Sequence, residues 1–299
     1  MQISCNYISL LAFKQKPMLV CKTKKELGSA LSNIKMDAKK IGLVPTMGAL
    51  HPGHASLVKK ALDENDIAIV SIFVNPTQFN NPEDLLKYPK NLEQDLGFLR
   101  TISPEILVFA PSLADMYPEQ TQSNSYDFEM LDTVMEGAFR QGHFNGVGTI
   151  VERLLLTVRP DRAYFGEKDY QQLQIIRKLV HIKGIPVEII GCPIVREANG
   201  LAMSSRNGRL SKEMFEEASF IYKTLKGAKE KFGTESAKDV TDWVKSRFGA
   251  HPKLSLEYFQ ISEADTLRPL IQKNDLKKYR AFIAVFAEDV RLIDNIALN

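Results

Sequence analysis

Through the first two thirds of the chain, short apolar runs alternate with stretches of helical spacing, and that alternation admits few folds. Residues 41–47 (IGLVPTM) predict a buried strand and 55–64 a helix. Residues 66–75 (DIAIVSIFVN), rich in β-branched side chains and closed by Asn75-Pro76, predict a second strand. Leu92, Leu96 and Leu99 repeat at helical spacing over 92–99, and 106–111 (ILVFAP) reads as another short strand. A helix beginning near Gly146 carries Val147, Ile150, Val151, Leu154, Leu155 and Val158 on one face until Arg159-Pro160 stops it. A strand over 162–165, a helix from Tyr170 to about His181 and a strand over 187–190 complete the series. Strands separated by helices imply an α/β fold, a parallel sheet joined by right-handed crossovers.

The character changes beyond Ala198-Asn199-Gly200. Two helical stretches, about 212–232 and 237–248, precede LSLEYFQI and AFIAVFA, which read as paired strands. A domain boundary near Val195 therefore divides a larger domain, 18–194, from a smaller α+β domain, 195–299. Residues 1–17 form an N-terminal extension and a candidate for disorder; their apolar run, Ile8 to Phe13, is too short for a membrane span and lacks a basic leader. The cysteines Cys5, Cys21 and Cys192 are scattered, with no CxxC pair, which argues for free thiols in a reducing cytoplasm. A net charge of +3 with no Lys/Arg block does not suggest a nucleic-acid partner, and no apolar stretch suggests a membrane.

Three clusters carry chemistry. The first is VPTMGALHPGH, Val44 to His54, which places two imidazoles and two glycines at a strand-to-helix turn. Glycine lets the backbone approach a ligand, and the free N–H groups of a helix N-terminus attract an anion, so the combination suits a nucleotide phosphate. Zinc is the weaker reading, since His51 and His54 are three apart with Pro52-Gly53 between them and no acid nearby; two structural histidines are the bland one. The second cluster, FGEKDYQQL, ends a strand at Gly166 and offers Lys168 where open α/β sheets bind ligands. Its bland reading is a capping box between Asp169 and Gln172. The third, LAMSSRN, sets two hydroxyls and an arginine in a turn-rich loop that can grip a phosphate or simply join two domains. A fourth stretch, SIFVNPTQF, carries Gln78 beyond the strongest strand, where a carboxamide can hold a hydroxy acid or merely be solvated. Gly146-Val147-Gly148 lacks both a preceding strand and the third glycine of a dinucleotide fingerprint.

PTMGALHPGH, SIFVNPTQF, HFNGVGTIV, RPDRAYFGEKDYQQL and VREANGLAMSSRN together resemble the pantothenate synthetase (pantoate–β-alanine ligase) family, within the HxGH nucleotidyltransferase-like superfamily. The likeness runs from about Leu19 to the C-terminus. It implies a cytoplasmic homodimer with a Rossmann-like N-terminal domain and a smaller lid domain. It also implies a two-step reaction, in which ATP and pantoate form pantoyl adenylate with loss of pyrophosphate, and β-alanine then displaces AMP to give pantothenate. Mg2+ would accompany the ATP phosphates, with no protein ligand assigned; Asp95 lies where some members carry a metal-proximal acid and is left unassigned.

Carried over by position, Met47, Gly48, Ala49, Leu50, His51, Pro52, Gly53 and His54 match the first ATP segment, with His54 in the place of a proton donor. Gly166, Glu167, Lys168 and Asp169 match the second ATP segment, and Val195 with Met203, Ser204, Ser205 and Arg206 the remaining contacts. Gln78 and Gln172 match the glutamines that hold pantoate, Gln78 also β-alanine. His51, His54, Lys168 and Arg206 are the expected catalytic donors to the reacting phosphates. A relative of class I aminoacyl-tRNA synthetases and a non-catalytic ATP sensor stand as alternatives. The first has the modest charge and the glutamine pair against it; the second would need the motifs without turnover.

Overall fold

The computed structural model describes residues 18–299, so the N-terminal extension, with Cys5 and the Ile8 to Phe13 run, lies outside the described residues. Six strands, β1 Val20–Cys21, β2 Ile41–Thr46, β3 Ile67–Ile72, β4 Leu107–Phe109, β5 Arg162–Gly166 and β6 Glu188–Cys192, form one sheet in the order β1-β4-β3-β2-β5-β6. Every pairing in it is parallel, with β2 bonded to β3 on one side (Ile41 opposite Ile67) and to β5 on the other (Gly42 opposite Arg162). Three more strands, β7 Leu254–Glu263, β8 Tyr279–Ala287 and β9 Val290–Ala297, make an antiparallel sheet in sequence order. The helices in chain order are α1 Lys24–Met36, α2 Pro52–Glu64, α3 Pro82–Lys87, α4 Leu92–Ile102, α5 Leu113–Met116, α6 Glu136–Phe139, α7 His143–Val158, α8 Tyr170–Lys183, α9 Lys212–Glu217, α10 Ser219–Phe232 and α11 Ala237–Gly249.

Successive side chains of a strand point to opposite faces, and here both faces are covered. Leu43, Ile69 and Leu107 enter one core with Leu154, Leu155 and Ile176 from α7 and α8. Their neighbours Val44, Val70 and Val108 enter a second with Leu57, Val58 and Leu99 from α2 and α4. That is why these strands read as continuous apolar runs instead of alternating ones. A third core joins α10 and α11 to the antiparallel sheet through Leu225, Val240, Val244 and Ile283. No helix among the described residues is long and apolar enough to cross a membrane.

Several element ends differ from the sequence expectation. Helix α2 begins at Pro52, three residues before 55, because proline at the first turn loses no helical bond and His51 caps it. Strand β3 stops at Ile72, short of 75, because the buried Asn75 amide turns inward toward the Gly146 carbonyl. Helix α7 starts at His143 after Gly142 in a left-handed conformation (φ 77°), one turn before the apolar repeat becomes visible. The expected helix over 212–232 breaks at Ala218 into α9 and α10. Strands β1 and β9 and helix α1 carried no sequence expectation; β9 hides behind Arg291 and Asp294, charges that its pairing with β8 buries or half-buries.

Gly146 is fixed by close approach. A Cβ there would lie 2.3 Å from the Thr77 carbonyl oxygen and 2.7 Å from Gln78 Cα, both main-chain atoms of the Pro76–Gln78 turn. Gly97 in α4, by contrast, has open space around its missing Cβ. Gly146→Ala is expected to lower stability by roughly 1–3 kcal/mol through overpacking. Gly97→Ala should raise it by about 0.5–1 kcal/mol through helix propensity. Differential scanning calorimetry of the two variants should therefore move Tm in opposite directions.

Candidate active site

The chain leaves β2 to build β3 and β4 on one side and returns to build β5 and β6 on the other, so the order reverses between β2 and β5. Ligands of open α/β sheets bind outside the carboxyl ends of the strands at such a reversal. The turn after β2 carries His51 and His54, the turn after β3 carries Gln78, and the turn after β5 carries Lys168. All four line one cavity of about 250 Å3.

The first turn is held from below by a carboxylate. Its backbone passes through positive φ at Gly48 (81°) and Ala49 (50°). Asp95 of α4 accepts the N–H groups of Ala49 (3.1 Å) and Leu50 (2.8 Å) and so fixes it. Asp95 is buried on the Leu92–Leu96–Leu99 face of α4. Gly48, Ala49 and Leu50 therefore shape the turn, while Met47, His51, Gly53 and His54 reach the cavity. Pro52 opens α2.

The two histidines hold each other. His51 caps α2 and its Nδ1 accepts the Gly53 N–H (3.1 Å), while His54 Nδ1 accepts the His51 N–H (3.3 Å). A backbone N–H can only donate, so both Nδ1 atoms are unprotonated and both rings carry their proton on Nε2. Their ring centroids are 4.0 Å apart. A Cβ on Gly53 would meet the His51 ring at 2.8 Å, so this residue leaves room for the packing of the pair. Burial, and then the Lys168 charge, push His51 down to about 4. Burial, His51 and Lys168 push His54 down to about 3. Both are neutral at neutral pH, each with an Nε2–H donor to spare. The structural and ligand-binding readings of the pair thus coexist: one nitrogen of each ring serves the turn, and the other is left for a ligand. Among the described residues no group of three or more His, Cys, Asp or Glu is placed to hold a metal ion.

Lys168 stands in a turn clamped by the antiparallel sheet. Asn295 of β9 donates from Nδ2 to the carbonyls of Glu167 (2.9 Å) and Lys168 (2.8 Å), and Arg280 of β8 pairs with Glu167 (3.1 Å). Glu167 accordingly turns away from the cavity to Arg280, while Gly166, Lys168 and Asp169 line it. The capping box that was the bland reading of this cluster does not form: Asp169 precedes α8 without a side-chain cap, and Gln172 lines the cavity instead. Its neighbour Gln171 is the structural one, donating to the Leu131 and Val134 carbonyls and accepting from Glu136 N–H.

Val195 and Met203 meet as a hairpin (Met203 N–H to Val195 carbonyl, 3.0 Å), which brings Ser204, Ser205 and Arg206 to the same cavity. Arg196 pins that hairpin with two bonds to Asp294 (2.6 and 3.0 Å). Behind Gln78, three residues escaped the sequence reading. Asn75, fully buried, donates to Gln78 Oε1 (3.2 Å) and accepts from the Tyr117 hydroxyl (2.6 Å). His143 donates Nδ1–H to the Gln78 carbonyl (2.7 Å), the opposite tautomer to the first pair, and burial followed by the Arg140 charge pushes it down to about 4. Arg140 lines the cavity beside it. Asn75 and His143 lay within conspicuous motifs, but nothing in their spacing showed which atoms they would face.

A profile of the pantoate–β-alanine ligase family matches residues 19–297. The chain belongs to that family. It is 55% identical over 282 residues to a pantothenate synthetase of Christiangramia forsetii, covering 94% of this chain and 100% of that protein. A pantothenate synthetase of Bacteroides fragilis is 50% identical over 279 residues, 93% of this chain and 98% of its own. The crystal structure of pantothenate synthetase from Thermus thermophilus superposes with a TM-score of 0.86 at 41% identity, over 94% of this chain and 99% of that one. A pantoate–β-alanine ligase from Francisella tularensis, complexed with β-γ ATP and β-alanine, gives a TM-score of 0.76 at 38% identity, over 94% and 98% of the two chains. The ligase is thus an enzyme of the class that joins pantoate to β-alanine, which sets aside the aminoacyl-tRNA synthetase alternative.

The tautomers of the ligase are directly observable. Nitrogen-15 NMR of the histidine rings should show Nε2–H for His51 and His54 and Nδ1–H for His143. Because the folded values lie below the ordinary imidazole value of about 6.5, the unfolded chain binds more protons in acid. The stability these neutral rings contribute is complete above about pH 6.5 and falls as pH drops toward about 4 for His51 and His143 and toward about 3 for His54. Asn replacements at His51 and His54 should flatten that part of the curve of unfolding free energy against pH.

Proposed function

We propose that the enzyme activates pantoate with ATP, forming pantoyl adenylate and pyrophosphate, and then transfers the pantoyl group to β-alanine, releasing AMP. What carries this reading is the pair of neutral imidazoles whose Nε2–H groups the turn leaves unused, beside Lys168 in one cavity with Gln78 and Gln172. In the first step a pantoate carboxylate oxygen bonds to the α-phosphorus and the bond to pyrophosphate breaks. Both reactants are anionic, so the barrier falls when donors meet charge that develops on phosphate oxygens. His51 and His54 meet that charge as hydrogen-bond donors. Because the His51 N–H occupies its Nδ1, His54 meets the phosphates through Nε2–H, as a fixed hydrogen-bond donor.

Lys168 and Arg206 neutralise the triphosphate, while Ser204 and Ser205 donate to it from the loop that the Val195–Met203 hairpin presents. Mg2+, carried in on the phosphate oxygens, would screen part of the same charge. Gln78 and Gln172 orient pantoate through its carboxylate and hydroxyls. Asn75 and His143 keep Gln78 in position by holding its amide oxygen and its carbonyl. In the second step the uncharged amine of β-alanine attacks the acyl carbon, the bond to AMP breaks, and the amine proton leaves. The smaller domain, taken to begin near Val195, keeps water from the adenylate. The homodimer and the cytoplasmic setting implied by the family resemblance belong to the same reading.

Mass spectrometry of products from ATP, Mg2+ and pantoate, with and without β-alanine, tests the sequence of steps. Enzyme-bound pantoyl adenylate without β-alanine, and pantothenate with AMP when it is added, are the expected products. AMP formed regardless of pantoate would overturn the substrate assignment, and no AMP at all would favour an ATP sensor. His54→Ala should retain its Tm within a few degrees and lose about a hundredfold or more in adenylate formation, the scale for removing one positioned donor.

A further inference from the structure

The cations at the mouth of the cavity are already paired. Lys168 lies 3.6 Å from Asp169, and Arg209 lies 2.8 Å from Asp289. The tightest link of the phosphate loop reaches across the cavity: Arg206 Nη2 donates to Asp84 Oδ2 at 2.9 Å, and Arg209 Nη1 stands 3.9 Å from the other oxygen of the same carboxylate. Asp84, Lys168, Arg206 and Arg209 together line an adjoining space of about 500 Å3, and Lys168 and Arg206 also line the imidazole cavity. Neither partner of the Asp84–Arg206 pair is fully solvated, with side chains 28% and 31% exposed.

Asp84 sits on α3, a helix of six residues that buries none of its side chains. Little else in that helix ties it to the fold, so its carboxylate is well placed to follow or release the loop. A carboxylate and a triphosphate cannot share one guanidinium without mutual repulsion, because each would present like charge to the other across a few ångströms. Asp84 bonds Arg206 through one oxygen and lies near Arg209 with the other, so an arriving triphosphate meets cations whose charge is already partly neutralised.

From this geometry we infer that Asp84 is the resting counter-ion of Arg206. It occupies the guanidinium before nucleotide arrives and is displaced from it by the phosphates. Binding of the triphosphate therefore includes the cost of breaking this pair. The inference rests on the reading of the 203–206 loop as an ATP contact.

Calorimetric titration with a non-hydrolysable ATP analogue and Mg2+ tests it. Asp84→Asn keeps the shape but removes the competing charge, and should tighten analogue binding by roughly three- to tenfold, the scale of a partly buried ion pair. Asp84→Glu should stay within about twofold of the wild type. The KM for pantoate should be unmoved in both variants, which a general structural disturbance would not leave unmoved. In an Arg206→Gln background, Asp84→Asn should leave analogue affinity unchanged. Weaker or unaltered binding in the single variant would overturn the inference. So would the same gain in the Arg206→Gln background, which would mean that Asp84 acts on the phosphates by its field alone. A wild-type protein that binds no analogue would overturn the nucleotide reading itself, and the inference with it.

Discussion

Parallel pairing of β2 with β3 on one side and β5 on the other is the constraint on which the site depends. Parallel neighbours end at the same edge of the sheet, so the turns that follow them are forced together however far apart they lie in sequence. His51, Gln78 and Lys168 are thereby delivered to one cavity without any side chain having to reach for another. The helices that cover both faces make this edge rigid, because Leu43 and Val44, Ile69 and Val70, and Leu107 and Val108 divide between two packed cores. A site built on strand ends of this kind inherits its precision from main-chain hydrogen bonds.

The second sheet contributes through polar contacts. Glu136, which opens α6, is held by Arg291 of β9 in two bonds (2.7 and 2.8 Å) and by the Tyr258 hydroxyl of β7 (2.8 Å). Burial pushes the Glu136 carboxyl up, and the Arg291 guanidinium bonded to it outweighs that and holds it below its usual range. Removing one member of a buried network of this kind leaves an uncompensated charge, so the two sheets are tied in one relative placement. Together with the Asn295 clamp on the Lys168 turn, it makes the antiparallel sheet part of the site's frame.

Neutral histidines define the electrostatics. In a cavity that already holds Lys168, Arg140 and Arg206, two further positive charges would repel one another and the cations beside them. Burial and the Lys168 charge keep both imidazoles uncharged, so the site offers hydrogen bonds where charge alone would be costly. His143, in the other tautomer, spends its proton on the Gln78 carbonyl and serves the frame. Three rings with similar depressed values thus divide by tautomer, and the backbone group each one meets decides which nitrogen is free.

Much of this was legible in the sequence. Apolar runs separated by helical repeats specify a parallel sheet because buried strands need both faces apolar and crossovers need helices. The HPGH, GEKD and SSR clusters mark turns because glycine, proline and small polar residues are what such turns require. Other features were settled only by the tertiary structure. Asp95 under the histidine turn lies 45 residues from Leu50, whose N–H it accepts, and nothing local in LEQDLGFL announces a main-chain partner. Strand β9 carries Arg291 and Asp294, which look solvent-facing until Glu136 and Arg196 are found opposite them. Gln171 and Gln172 are adjacent and alike, yet only the direction imposed by α8 makes one a brace and the other a cavity wall. Sequence determined which elements form and which residue types stand at the strand ends, because those follow from local periodicity and turn chemistry. Which side chains meet, and which nitrogen of each histidine is left for a ligand, was decided by packing, because hydrogen-bond partners are chosen across distances in the chain that no local pattern spans.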